Sequence, residues 1–247
     1  MRPLLDLTKE YGLVLDGGGA RGAYQIGAWK ALKEAGVKIS AVAGTSVGAL
    51  NGALICMDDL EKAEKIWSEM EFSRVMSVDD DWMRQFFQGE QRLGDILAEL
   101  GRVFRDGGVD AAPLRKLIHE NVDEEKIRGC GKEFFIVTFS LTDMKELELS
   151  VTDIPEGRLE DFLLASAYLV GFKNEPMEDG KRYIDGGIFN NVPADVLVEK
   201  GYTDLIEIRI YGPGREPRVN LPEDGEMYQI GPRVKLGSII EFDRERS

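Results

Sequence analysis

Apolar positions come in two patterns along this chain. Tyr11 to Leu15 and Ile39 to Ala43 are short apolar runs, and each leads through a glycine-bearing turn into a helix-like segment. That succession predicts strand, turn, helix, twice over. The first strand runs into Asp16-Gly17-Gly18-Gly19-Ala20-Arg21-Gly22 and a helix over about Ala23 to Ala35, closed by Gly36. The second runs into Gly44-Thr45-Ser46-Val47-Gly48 and a buried helix from Ser46 to Met57, rich in Ala, Leu and Ile. From Asp58 to Met70 the period is helical, with Leu60, Ala63, Ile66 and Trp67 on one face of a charged helix.

Glu71 to Asp110 changes character: it is polar, carries five glycines, and sets Trp82, Met83, Phe86 and Phe87 at helical spacing. Two readings stand for that cluster, an ordinary helix burying its face or a helical cap over a lipid-sized pocket or lipid surface. In either case 71–110 belongs to one domain with the rest of 1–247. Ala112 to Asn121 predicts an amphipathic helix opened by Pro113. Glu133 to Ser140 is strongly apolar, and Glu146 to Val151 alternates with period two. Joined by the turn Thr142-Asp143-Met144-Lys145, they predict an antiparallel hairpin and hence a mixed sheet. A helix over Leu159 to Tyr168 follows, with Ser166 as a packing residue, then a strand ending in Asp185-Gly186-Gly187. A helix from Asn190-Asn191-Val192-Pro193 to Lys200-Gly201 precedes the last core strand, Asp204 to Ile210. Gly212 to Asp224 reads as a surface loop, and the tail from Glu226 as a short strand and a helix start.

Composition narrows the function. A chain of 247 residues with 43% hydrophobic content fits one large α/β domain or two small ones. A formal net charge of −14 argues against nucleic acid and strongly anionic bilayers as partners. Asp6, Lys9 and Glu10 interrupt any apolar run that could serve as a signal peptide. Cys56 and Cys130, the only cysteines, lack metal-ligand spacing and read as core thiols in a reducing, cytoplasmic setting. His119 is the only histidine.

The candidate chemistry sits at the two glycine turns. A serine between strand and helix, with small neighbours two residues either side, has its hydroxyl exposed beside free N–H groups of the helix N-terminus. The same pattern is also met in a plain glycine-rich turn with a capping serine. Gly17, Gly19 and Gly22 satisfy the dinucleotide-binding pattern G-x-G-x-x-G, but the acidic residue expected about twenty positions on is replaced by Gly44-Thr45-Ser46. The alternative use of such backbone donors is an oxyanion hole. Arg21 is either a solvated first-turn residue or a brace for this loop. A nucleophilic serine needs a base, and the setting of His119, beside Glu120 near a helix end, is poor. Asp185, at a strand end before two glycines, is the better one, unless Asp-Gly marks only a tight turn.

Asp16-Gly17-Gly18-Gly19-Ala20-Arg21-Gly22, Gly44-Thr45-Ser46-Val47-Gly48 and Asp185-Gly186-Gly187, in that order, resemble the patatin-like phospholipase family over most of the chain, from Tyr11 to about Asp243. The resemblance implies a three-layer α/β/α sandwich with a central, mostly parallel sheet. It implies hydrolysis of lipid acyl esters by a dyad of Ser46 and Asp185, without metal or organic cofactor. It also implies an oxyanion hole from Gly17, Gly18 and Gly19, with Arg21 ordering that loop; the donors expected are the N–H groups of Gly18, Gly19 and Val47. One departure stands out: Tyr168-Leu169-Val170-Gly171-Phe172 has no proline where the family usually carries one. The expected partner is a lipid or acyl-ester substrate, with transient contact at a membrane surface. A catalytically silent binding protein and a nucleotide-binding protein on an α/β fold are the alternatives.

Overall fold

The computed structural model describes residues 5–89, 91 and 93–242. In chain order its strands are β1 (Glu10–Leu15), β2 (Lys38–Thr45), β3 (Glu133–Ser140), β4 (Lys145–Ser150), β5 (Tyr183–Asp185), β6 (Asp204–Ile208) and β7 (Glu226–Ile230). The helices are α1 (Ala23–Glu34), α2 (Val47–Cys56), α3 (Leu60–Ser68), α4 (Phe72–Val75), α5 (Asp80–Gln88), α6 (Leu93–Arg105), α7 (Ala112–Asn121), α8 (Glu124–Arg128), α9 (Leu159–Ser166) and α10 (Ala194–Glu199). The strands form one mixed sheet in the order β4-β3-β2-β1-β6-β7. The pairs from β3 through β7 are parallel, whereas β4 and β5 run antiparallel to β3.

Strand side chains point alternately to opposite faces, and two cores follow from that parity. Leu13, Leu15, Val42, Phe134, Ile136 and Ile206 meet α1, α2, α3, α7 and α9 on one face. Val14, Ala43, Phe135, Val137 and Leu205 meet Val192, Ala194 and the α10 residues Val196 and Leu197 on the other. Small residues at Ala41 and Ala43 let that second layer lie close. The result is a three-layer α/β/α sandwich, as the resemblance implies.

The differences from the sequence pattern are local. α8 has no expectation behind it; Asp123 caps it by accepting from the Lys126 N–H at 3.1 Å. The last core strand stops at Ile208 rather than Ile210, because the N–H groups of Ile210 and Tyr211 turn to the Asp16 carboxylate at 2.9–3.0 Å. α9 stops at Ser166, and the tail beyond β7 holds no helix among the described residues. Asp185-Gly186-Gly187 opens a single 3-10 turn, Gly186–Ile188, rather than a two-residue hairpin.

In segment 71–110 the aromatic cluster runs outward from the core, with Phe86 meeting Phe87 edge-on at 5.4 Å. Met83 is buried and Phe87 stacks on the buried Phe72, with ring centroids 5.7 Å apart. Trp82 and Phe86 stack on each other farther out, at 5.6 Å. The excursion closes on itself where Ser77 N–H donates to Asp110 O at 3.1 Å.

Candidate active site

β2 delivers Ser46 in a conformation that side chains rarely adopt, φ 56° and ψ −127°. The turn is tight enough to require glycine on both sides. A Cβ on Gly44 would lie 2.4 Å from Gly48 O, and one on Gly48 would lie 2.2 Å from Leu15 O. Ser46 N–H donates to Ser166 Oγ at 2.9 Å, and Ser166 in turn donates to Val137 O at 2.6 Å. Ser166 is therefore more than packing: it fixes the backbone of the elbow from the end of α9.

β3 brings Asp185 to the serine. Its one edge is occupied by β4 along Phe135 to Ser140. On the other edge β2 pairs from Glu133 to Val137 and β5 takes up the pairing at Thr138, opposite Asp185. Thr45, opposite Val137, and Asp185, opposite Thr138, thus abut end to end along a single strand. Ser46 Oγ donates to Asp185 Oδ2 at 2.5 Å across 139 positions of chain. The other carboxylate oxygen accepts from Gly187 N–H at 2.8 Å, which holds the group in this orientation. Asp185 is 7% exposed. Burial pushes its carboxyl up to about 6, against the opposing pull of the Ser46 hydroxyl and the Gly187 amide. His119 has no part here: its side chain is 75% exposed and its Nδ1 lies 3.0 Å from Glu160.

The glycine loop packs on both partners through Asn191. Asn191 Oδ1 sits where a Cβ on Gly17 or Gly187 would fall, at 2.4 and 2.6 Å, and its Nδ2 donates to Gly17 O at 3.3 Å and Gly212 O at 3.2 Å. Gly17 N–H donates to Asn191 O at 3.2 Å and so is already engaged. Arg21 likewise points elsewhere: its guanidinium donates to Ile210 O, Tyr211 O and Gly237 O at 3.2, 2.5 and 3.1 Å. Of the five residues expected around the oxyanion, these two hold the loop rather than present a donor. The N–H groups of Gly18, Gly19 and Val47 donate to no protein acceptor among the described residues.

Asp16 fastens the start of the loop. It is fully buried, takes the Ile210 and Tyr211 N–H groups, and faces Arg209 Nε at 3.3 Å. Burial raises its carboxyl to about 6, with Ile210 N–H and Arg209 pulling the other way. The sequence pattern offers Asp16 only as the first residue of the glycine motif, and Ser166 and Asn191 carry no signal that it assigns to a site. Each acts through backbone contacts with chain 120 or more positions away.

Beside Ser46 lies an apolar cavity of about 80 Å³. Ser46 and Gly19 contribute to its wall, Leu54 and Ile66 line it from α2 and α3, Ile118 from α7, and Phe242 from the far end of the chain. Asn51 also lines it, but its amide is engaged with Gly22 O, Gln25 and Trp67. Among the described residues no group of three or more His, Cys, Asp or Glu is placed to hold a metal ion. No described helix is long and apolar enough to cross a membrane.

The three-layer α/β/α sandwich thus presents a serine at a strand–helix elbow, hydrogen-bonded to an aspartate from a neighbouring strand. The family model for patatin-like phospholipase matches residues 13–198, and the chain belongs to that family. It is 32% identical over 81% of its length to "Neuropathy target esterase sws" of Drosophila melanogaster. It is 30% identical over 80% of its length to "Patatin-like phospholipase domain-containing protein 6" of Homo sapiens. The chain spans 13% of the length of each of these curated relatives. Among solved structures, VipD from Legionella pneumophila aligns with a TM-score of 0.49 and 17% identity, over 80% of this chain and 50% of that one.

Proposed function

We propose that the chain is a serine lipid acyl hydrolase of the phospholipase A, lysophospholipase or esterase type, working through a Ser46–Asp185 dyad. The observation that carries this is the 2.5 Å contact between Ser46 Oγ and Asp185 Oδ2 beside an apolar cavity. Asp185 takes the Ser46 proton as Oγ attacks the ester carbonyl, and the oxyanion forms toward the N–H groups of Gly18, Gly19 and Val47. Collapse of that intermediate expels the alcohol, which receives the proton from Asp185. Water, deprotonated by Asp185, then cleaves the acyl-serine and restores the dyad. Each oxyanion donor of this kind supplies roughly 2.7–4 kcal/mol of transition-state stabilisation. A carboxyl lifted to about 6 is a better matched base at neutral pH than an ordinary aspartate. We place its action in the cytoplasm, at dispersed lipid or in transient contact with a membrane surface.

The test is hydrolysis of p-nitrophenyl esters together with labelling by a fluorophosphonate probe. Ser46→Ala should lose both, Asp185→Asn should lose nearly all turnover, and His119→Ala should keep most of it. Folded wild-type protein that resists labelling at Ser46 would point to a silent binding protein. A His119→Ala loss as deep as that of Ser46→Ala would remove the dyad.

A further inference from the structure

The cavity wall includes one residue from a part of the chain that the family model leaves unmatched. Residues 235–242 lie beyond the 13–198 match, yet they cross directly over the glycine loop. Ile239 O accepts from Ala20 N–H at 2.8 Å and lies 2.0 Å from where a Cβ on Gly19 would be, so Gly19, at φ 55°, leaves room for the crossing. Arg21 Nε holds Gly237 O at 3.1 Å, and Glu241 accepts from Ser238 N–H at 3.3 Å within the strap itself. Three residues past Ile239, Phe242 turns inward. It is 5% exposed and lines the same cavity as Ser46 and Gly19. Three residues of chain reach at most about 10–11 Å, so the ring enters from the glycine-loop side of the cavity.

We propose that Phe242, carried on the strap 235–242, sets the length of acyl chain the cavity accepts. The inference rests on the acyl-hydrolase reading above. Apart from Phe242, the cavity wall is built mainly from side chains of α2, α3 and α7, with Gly19 and Ser46 at the dyad end. Among the described residues, Phe242 is its one lining residue beyond the family-model match. Truncating the ring opens the space it fills; enlarging it closes more. A change of even one methylene in an apolar pocket shifts discrimination by roughly 10–200-fold.

The experiment compares kcat/KM for p-nitrophenyl esters of four, eight, twelve and sixteen carbons in wild type, Phe242→Ala and Phe242→Trp, with melting temperatures for each. Phe242→Ala should raise the ratio of sixteen- to four-carbon rates by about tenfold or more, and Phe242→Trp should lower it. A residue that only stabilises the fold would shift the melting temperature and leave those ratios alone. Should Phe242→Ala fail to fold, Phe242→Leu and Phe242→Trp still read the ratio in opposite directions. Unchanged ratios in folded variants whose Ser46 is still labelled by fluorophosphonate would overturn the proposal while leaving the dyad standing. Wild-type protein that is neither active nor labelled would overturn both.

Discussion

Asp185 holds its charge in a nearly sealed site, and that has opposite consequences for activity and stability. Its folded carboxyl titrates at about 6 against an ordinary value of 3.8. In the proposed dyad the deprotonated form is the base, so kcat/KM should climb with pH through about 6 and level off above 7. Stability moves the other way. A carboxyl raised on folding contributes stability that is fully present below the unfolded value, and it is lost as pH rises through the folded one. Asp185→Asn should therefore lose nearly all turnover yet raise the melting temperature at pH 7.5 by several degrees, roughly 2–4 °C for each kcal/mol gained. That gain should shrink below pH 6 and vanish only at about pH 3, where Asp185 is protonated in the folded and the unfolded chain alike. Calorimetry of both proteins at the two pH values decides this; a gain equal at both would show that the charge is not the cause. Ser166 offers a second test. Ser166→Ala leaves the Ser46 N–H and Val137 O unpaired in a buried place, which costs about 1–3 kcal/mol. Because the lost bond holds the elbow, kcat should fall with KM little changed, whereas a purely structural serine would affect melting alone.

At the scale of elements, β3 acts as a ruler on which β2 and β5 end against each other. The two strand–turn–helix units and the hairpin were legible, because period-two and helical patterns are local properties of the chain. The docking of β5 was not, since three residues ahead of two glycines carry no record of which edge they pair with. For the same reason Asn191 read as a helix start and Ser166 as packing: their hydrogen bonds join residues far apart in sequence. The aromatic spacing on α5 was legible too, but not how far from the core each ring would sit. Phe72→Ala removes a fully buried ring and should cost about 3–5 kcal/mol. Phe86→Ala, at a ring 36% exposed that stacks on Trp82 and meets Phe87 edge-on, should cost much less, about 1 kcal/mol. Urea titrations of the two variants measure this directly. Equal losses would mean that Phe86 is as much a part of the core as Phe72.

For the molecule as a whole, the charge sets what kind of lipid surface it can approach. Lys and Arg number 31 against 45 Asp and Glu. The local ion pairs, such as Lys30 with Glu64 and Lys33 with Asp58, neutralise individual side chains but leave the net charge of −14 in place. That excess repels an anionic bilayer over roughly a Debye length, about 30 Å at 0.01 M salt and 10 Å at 0.1 M. Hydrolysis of a neutral lysolipid dispersion should thus be nearly independent of ionic strength. On vesicles carrying about a third anionic lipid it should be slower at 0.01 M salt and recover several-fold at 0.1 M, as screening lets the protein reach the surface. Initial rates on both substrates across that salt range make the comparison. Faster turnover on the anionic vesicles, weakened by salt, would mean that a local cluster of Lys and Arg governs the approach and that the global charge does not.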